Sequence, residues 1–423
     1  MNKPAKKSLV PKLRFPEFRE AGEWESKTLV ELAKFRRGSF PQPYGLPEWY
    51  DDENGMPFVQ VFDVDENLRL KEKTKNRISK IGAEQSVFIA QGTLIVTLQG
   101  SIGRVAVTQY DAYIDRTLLI FEEFFKPTEK LFFAYVIQNL FEIEKEKAPG
   151  GIIKTITKES LSDFVVKLPS RAEQQKIADC FSSLDDLISA QTQKIDALKT
   201  HKKGLMQQLF PAEGETIPKL RFSDFREAEE WEEKELGKLG ELIGGLTYSP
   251  DDIRNTGLLV LRSSNIQDGR ISLEDKVYVT PSIKGANLSK ANDILICVRN
   301  GSKALIGKNA LIPENMPLST HGAFMTVFRS KIAKFVFHLF QTSTYQRQVD
   351  GDLGATINSI NGSHFKRYKF HVPPSHNEQQ KIADCLSSLD ELISAHTQKL
   401  DALKNLKKGL MQQLFPAIDE VDA

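Results

Sequence analysis

From Ile177 onward, apolar residues fall alternately four and three positions apart: Ile177, Phe181, Leu184, Ile188, then Ile195, Leu198, Leu205 and Leu209. Polar Gln191 and Lys202 interrupt the series at two of the same positions. This is the a/d spacing of a coiled-coil helix, with polar insertions that fix register at some cost in stability. The same seam returns at Ile382, Leu386, Leu389, Ile393, His396, Leu400, Leu403, Lys407, Leu410 and Leu414. Each helix is expected to begin near Glu173 or Glu378, where a carboxylate suits the N-terminal dipole, and to stop before Pro211 or Pro416. Some 38 residues at 1.5 Å each make a rod of roughly 57 Å.

The repetition reaches beyond the seam. Glu173–Ala212 and Glu378–Ala417 agree at about 34 of 40 positions. PKLRFPEFREAGEWESKTL from Pro11 likewise matches PKLRFSDFREAEEWEEKEL from Pro218. The chain is therefore read as two halves, each a leader, a body and a long helix. The bodies, about residues 30 to 168 and 237 to 372, share almost no obvious identity. Near-copies of a scaffold around different inserts suggest that something identical is held twice while two different things are read. Non-seam positions also recur unchanged: Gln174, Gln175, Asp179, Gln207 and Gln208 return as Gln379, Gln380, Asp384, Gln412 and Gln413. Two equivalent docking surfaces would explain that identity.

Each body alternates short apolar runs with turns and reads as mixed α/β. Gly92–Gln109 and Asn292–Ile312 each run from an apolar strand through a loop of Gly, Ser and a cation into a second apolar strand. The tips carry Gln99, Ser101 and Arg104 in one body and Arg299, Asn300, Ser302 and Lys303 in the other. Such a hairpin suits a DNA groove: Arg bonds guanine bidentately, Asn or Gln bonds adenine, and Gly permits close backbone approach. An ordinary glycine turn with solvated charges fits these residues equally well. Just before each helix, Lys154 and Thr155, and Asn358 and Ser359, are placed either to touch phosphate or bases or to cap the next element.

The 423 residues include 57 Lys and Arg against 56 Asp and Glu, which excludes a uniformly basic coat and requires any nucleic-acid binding to be local. No apolar run is long enough to span a membrane, and the basic start lacks a secretory core. Three scattered cysteines form no metal or redox pattern and suit a reducing cytoplasm. Catalytic motifs fail on inspection. GSKALIGK, Gly301–Lys308, is too long for a phosphate loop and is followed by Asn309. Glu232 and Lys234 are too common a pair to indicate a nuclease, and His364, His371 and His376 lack a metal partner set. No catalytic residue and no metal ligand is assigned, and the chain is expected to be non-catalytic by itself.

The ordered combination of leader with EW (Glu23–Trp24, Glu230–Trp231), variable body, Leu-Pro or Pro-Pro, and EQQKIADC opening a long helix resembles the specificity (S, or HsdS) subunits of type I restriction-modification systems. The resemblance covers essentially the whole chain. It implies target recognition domains at 1–168 and 213–372, spacer helices at 169–212 and 373–417, and a tail at 418–423. The implied fold is two α/β domains joined by two long helices in an antiparallel coiled coil, a pseudo-two-fold tandem repeat. The implied partners are double-stranded DNA read as two half-sites, two methyltransferase subunits on the helices, and nuclease-translocase subunits in the full complex. S-adenosylmethionine, ATP and magnesium would belong to those partners. The alternative is a DNA-binding adaptor unconnected with methylation.

Overall fold

The computed structural model describes residues 9–147, 161–353 and 358–416. Both long helices form, at Arg171–Leu209 and His376–Leu414, 39 residues each. They start two residues earlier than the dipole argument places them and end before the prolines as expected. Every a/d position is buried or half-buried in both copies. By contacts the chain divides into one unit of residues 1–192 and 398–423 and another of residues 193–397. Each helix therefore begins in one unit and ends in the other.

Within the first unit, the early turns of the first long helix run antiparallel to the late turns of the second. Phe181 stacks on Phe415 at 6.0 Å, and Asp185 pairs with Lys407 at 2.6 Å. The second unit repeats this with the helices exchanged: Lys202 pairs with Asp390 at 2.6 Å, and Leu209 and Phe210 share a core with Ile382 and Leu386. The polar seam lysines are thus matched by aspartates across the helix pair. Such a pair fixes register because sliding by one turn would leave two partly buried charges unmatched.

The repeated leaders are clamps. Arg14 donates from Nε and Nη2 to the two carboxylate oxygens of Glu173 at 2.7 and 2.6 Å, and from Nη1 to Ala21 O at 2.6 Å. Arg221 does the same to Glu378 at 2.7 and 2.8 Å. All four side chains are buried. Leu13 N donates to Gln413 O and Leu220 N to Gln208 O, so each leader ties the start of one helix to the end of the other. Trp24 packs edge-on against Phe415 at 6.2 Å, and Trp231 against Phe210 at 6.1 Å.

In the first body the strands Ala33–Arg37, Leu118–Phe124, Leu94–Thr97 and Val105–Val107 lie in that order in one sheet, all antiparallel. The second body repeats the order with Glu241–Gly244, Met325–Arg329, Ile294–Cys297 and Asn309–Leu311. The central strands LIVT and ILIC are buried at every position because both faces are covered. Leu94 and Val96 pack toward the helices while Ile95 packs between the two sheets, as strand alternation requires. Ile294 and Ile296 face the helices and Leu295 and Cys297 the other core, which accounts for Cys297 as a packing residue whose thiol pKa is pushed up by burial. A second sheet in each body pairs Met56–Val59 with Ala112–Ile114, and Leu258–Leu261 with Ser319–His321, in parallel. The expected hairpins are present, and a short strand precedes each helix, at Val165–Leu168 and Lys369–Val372. Among the described residues no helix is long and apolar enough to cross a membrane, and no group of three or more His, Cys, Asp or Glu is placed to hold a metal.

Candidate nucleic-acid interface

Backbone hydrogen bonds place the two bodies in register where their sequences do not. Leu98 N donates to Thr117 O at 2.9 Å and Val298 N to Phe324 O at 3.0 Å, so Gln99 and Arg299 hold one structural position. Gly103 N donates to Thr97 O and Gly307 N to Cys297 O, so the counterpart of Arg104 is Lys308, not Lys303. Between these anchors the first body has residues 98–102 and the second has 298–306. Both glycines need their left-handed backbone, at φ +82° and +85°. A Cβ on Gly103 would meet the Phe141 ring at 2.6 Å.

In the second body the hairpin loop meets the segment that precedes the helix. Arg299 and Ser359 form an antiparallel bridge, and Asn358 Nδ2 donates to Gly301 O at 3.1 Å. Asn300 Nδ2 donates to Ser263 Oγ at 3.1 Å, while its Oδ1 accepts from Ser302 N. Asn300 and Asn358 therefore shape the loop with their own amides. Ser302 and Lys303 are exposed at its tip. The exposed Arg299 carries its guanidinium 5.8 Å from the ring centroid of Phe324, itself 56% exposed.

The first body differs. Arg104 turns away from the tip, donating to Val64 O at 3.1 Å and Glu66 Oε1 at 3.0 Å. Gln99 and Ser101 remain exposed, whereas Lys154 and Thr155 lie outside the described residues. An exposed cation does stand nearby, on a turn that the sequence reading passed over. Arg116 follows Asp115, whose buried carboxylate accepts from Thr117 N at 2.9 Å and Thr117 Oγ1 at 2.5 Å. Its guanidinium lies 5.6 Å from the ring of Tyr44, which is 57% exposed and rests on Phe40 at 4.4 Å. The signal available in the sequence was Asp-Arg-Thr between two apolar runs, an Asx turn that leaves its middle side chain outward.

The repeated positions outside the seam are not all exposed, contrary to what their recurrence suggests. Gln174 and Gln379 are buried, at 2% and 7% exposure. Gln174 donates to Pro169 O at 3.0 Å and accepts from Glu129 N, and Gln379 donates to Pro373 O at 2.8 Å. Their identity in the two copies follows from internal packing, and they are not part of an exposed docking face. Gln175 and Gln380 are exposed and donate to Asp179 and Asp384 one turn on, at 2.9 and 2.8 Å. Gln207, Gln208, Gln412 and Gln413 are also exposed.

Where bodies meet helices inside each unit, equivalent places carry different chemistry. Tyr135 Oη donates to Asp185 at 2.7 Å, and burial followed by that carboxylate raises its pKa. In the second unit His338 shares a 3.2 Å hydrogen bond with Ser387 Oγ, and burial pushes its pKa down to about 3, so the ring is neutral at physiological pH.

Comparison with known proteins points one way. The family model for the type I restriction modification DNA specificity domain matches residues 21–200 and again 228–405. The type I restriction enzyme MjaVIII specificity subunit of Methanocaldococcus jannaschii is 24% identical over 415 residues, covering 95% of this chain and 93% of that one. The EcoKI specificity subunit of Escherichia coli K12 is 27% identical over 197 residues, covering 44% and 42%. Among solved structures, the type I restriction-modification S subunit from M. genitalium superimposes with a TM-score of 0.65 at 15% identity, over 97% of this chain and all of that one.

Proposed function

Because this chain belongs to the type I restriction-modification DNA specificity family, a DNA sequence-specificity subunit that is non-catalytic by itself, we propose a division of labour among its parts. Each body reads one half of a bipartite, asymmetric site. The helices space the halves and dock two adenine methyltransferase subunits, with Gln175–Asp179, Gln207–Gln208 and their second-copy counterparts on the docking faces. Nuclease-translocase subunits join the full complex in the cytoplasm, and S-adenosylmethionine, ATP and magnesium belong to the partner subunits.

One observation carries this reading. A single backbone plan presents different side chains at matched positions: Gln99 against Arg299, Thr117 against Phe324, and Phe62 against Ser264 in the turns capped by Asp63 and Asn265. A scaffold constrained twice and unconstrained at its loop tips is what two distinct half-sites require. An exposed arginine on an aromatic ring is pre-oriented to present its planar fork to a guanine edge.

Arg299→Ala, assembled with the methyltransferase, is therefore expected to relax one base position in the second body's half-site by about 1–3 kcal/mol and leave the other half unchanged. Arg104→Ala is expected to leave both half-sites unchanged. Binding to oligonucleotides that vary one base at a time reads this out. Equal weakening by Arg299→Ala on every sequence would make it a phosphate contact.

A further inference from the structure

Resting on that reading, we propose that the first body reads a guanine through Arg116, held over Tyr44, and not through any cation of its 99–104 hairpin. In the matched frame, the second body has its cation on the hairpin, at Arg299, and an aromatic ring on the facing turn, at Phe324. The first body places its cation on the facing turn instead, over a ring from a third segment, Tyr44. Its hairpin carries neutral Gln99 at the matched position, and its facing turn carries Arg116 where the second body has Ala323.

Three features make Arg116 fit for reading and Arg104 unfit. The Arg116 turn is rigid: Asp115 N donates to Val59 O at 3.1 Å, Leu118 N to Asp115 O at 3.1 Å, and the Asp115 carboxylate holds Thr117 from both its N and its Oγ1. Contact with a base edge then immobilises only the side chain. Arg116 is exposed, and among the described residues no carboxylate pairs with it, so DNA displaces no ion pair. The Tyr44 ring supports the guanidinium from one face, is backed by Phe40 and through it by Phe58 at 5.5 Å, and leaves the edge donors open. Arg104 must instead give up both Val64 O and Glu66 before it meets a base.

Guanine is the base this chemistry selects, because two parallel guanidinium donors match its O6 and N7 acceptors in the major groove. A base pair without that acceptor pair leaves a desolvated cation unsatisfied, which is a larger penalty than the loss of one neutral hydrogen bond. The two bodies would then differ in where along the half-site the guanine falls, since the cation has moved from one side of the loop cluster to the other.

The test uses the full chain with its methyltransferase, and the readout is the methylated motif of the host genome. Arg116→Ala should lower discrimination at one guanine of the first half-site by about ten- to a hundred-fold, while the second half-site and the gap stay as in the wild type. Arg116→Lys should restore charge but not the bidentate fit, and so remain relaxed. Tyr44→Phe should keep the motif, and Tyr44→Ala should relax the same guanine. An unchanged first half-site in Arg116→Ala, or uniformly weaker methylation with the motif intact, would overturn the proposal. A wild-type complex that methylates no defined motif would instead overturn the specificity-subunit reading beneath it.

Discussion

Arg221→Ala is expected to lower stability by about 3–5 kcal/mol, a large fraction of what holds a domain of this size together. The change leaves Glu378, 1% exposed, as a buried carboxylate whose remaining side-chain donor is Trp231 Nε1 at 3.4 Å. Replacing both members, Arg221→Met with Glu378→Met, should be much less harmful, because the desolvated charge disappears together with its partner. Chemical denaturation of the full chain separates the two variants by their midpoints. A single variant within about 1 kcal/mol of the wild type would mean that the leader clamp contributes little and that its repetition has another cause. Arg14 and Glu173, equally buried in the first unit, should behave in the same way.

Charge reversal at the seam is the second large effect. Lys202→Asp sets two carboxylates against each other at a site where the lysine is 15% and Asp390 31% exposed, and should destabilise by about 2–3 kcal/mol. Asp390→Lys added to it recreates the pair in the opposite sense and should recover most of the loss, as a double-mutant cycle would show. The matched pair Asp185–Lys407 in the other unit shares no partner with it and should be unaffected. Additive losses in the double variant would contradict the antiparallel register described here.

The helices were legible because a four-three spacing specifies a buried stripe whatever lies against it, and Ile177 to Leu209 and Ile382 to Leu414 all occupy it. What lies against the rest of the helix was not legible. Gln174 and Gln379 fall outside the seam and read as exterior, yet each body covers its helix on a second side and takes up these amides at Pro169 and Pro373. Arg14 and Glu173 are 159 residues apart, so nothing local connects them. The hairpins of the bodies were legible from their apolar runs, but not the fate of Arg104, which is decided by Val64 and Glu66 about forty residues earlier. Matching Gln99 to Arg299 likewise required strand register, because the loops differ in length and the Ile-Gly-cation triplet they share, at 102–104 and 306–308, lies at their far end. Arg116 is not legible in the sequence, because a lone arginine in a three-residue turn becomes informative only when Tyr44 is brought beneath it.

The central claim is that one scaffold reads two different half-sites. Long-read mapping of methylated adenines in cells carrying this chain with its partner subunits tests it most directly. The account predicts a single motif of two unlike specified blocks separated by an unread gap of fixed length, with the first block altered by Arg116→Ala and the second by Arg299→Ala. A continuous motif, or one in which a substitution in either body alters both blocks, would contradict it.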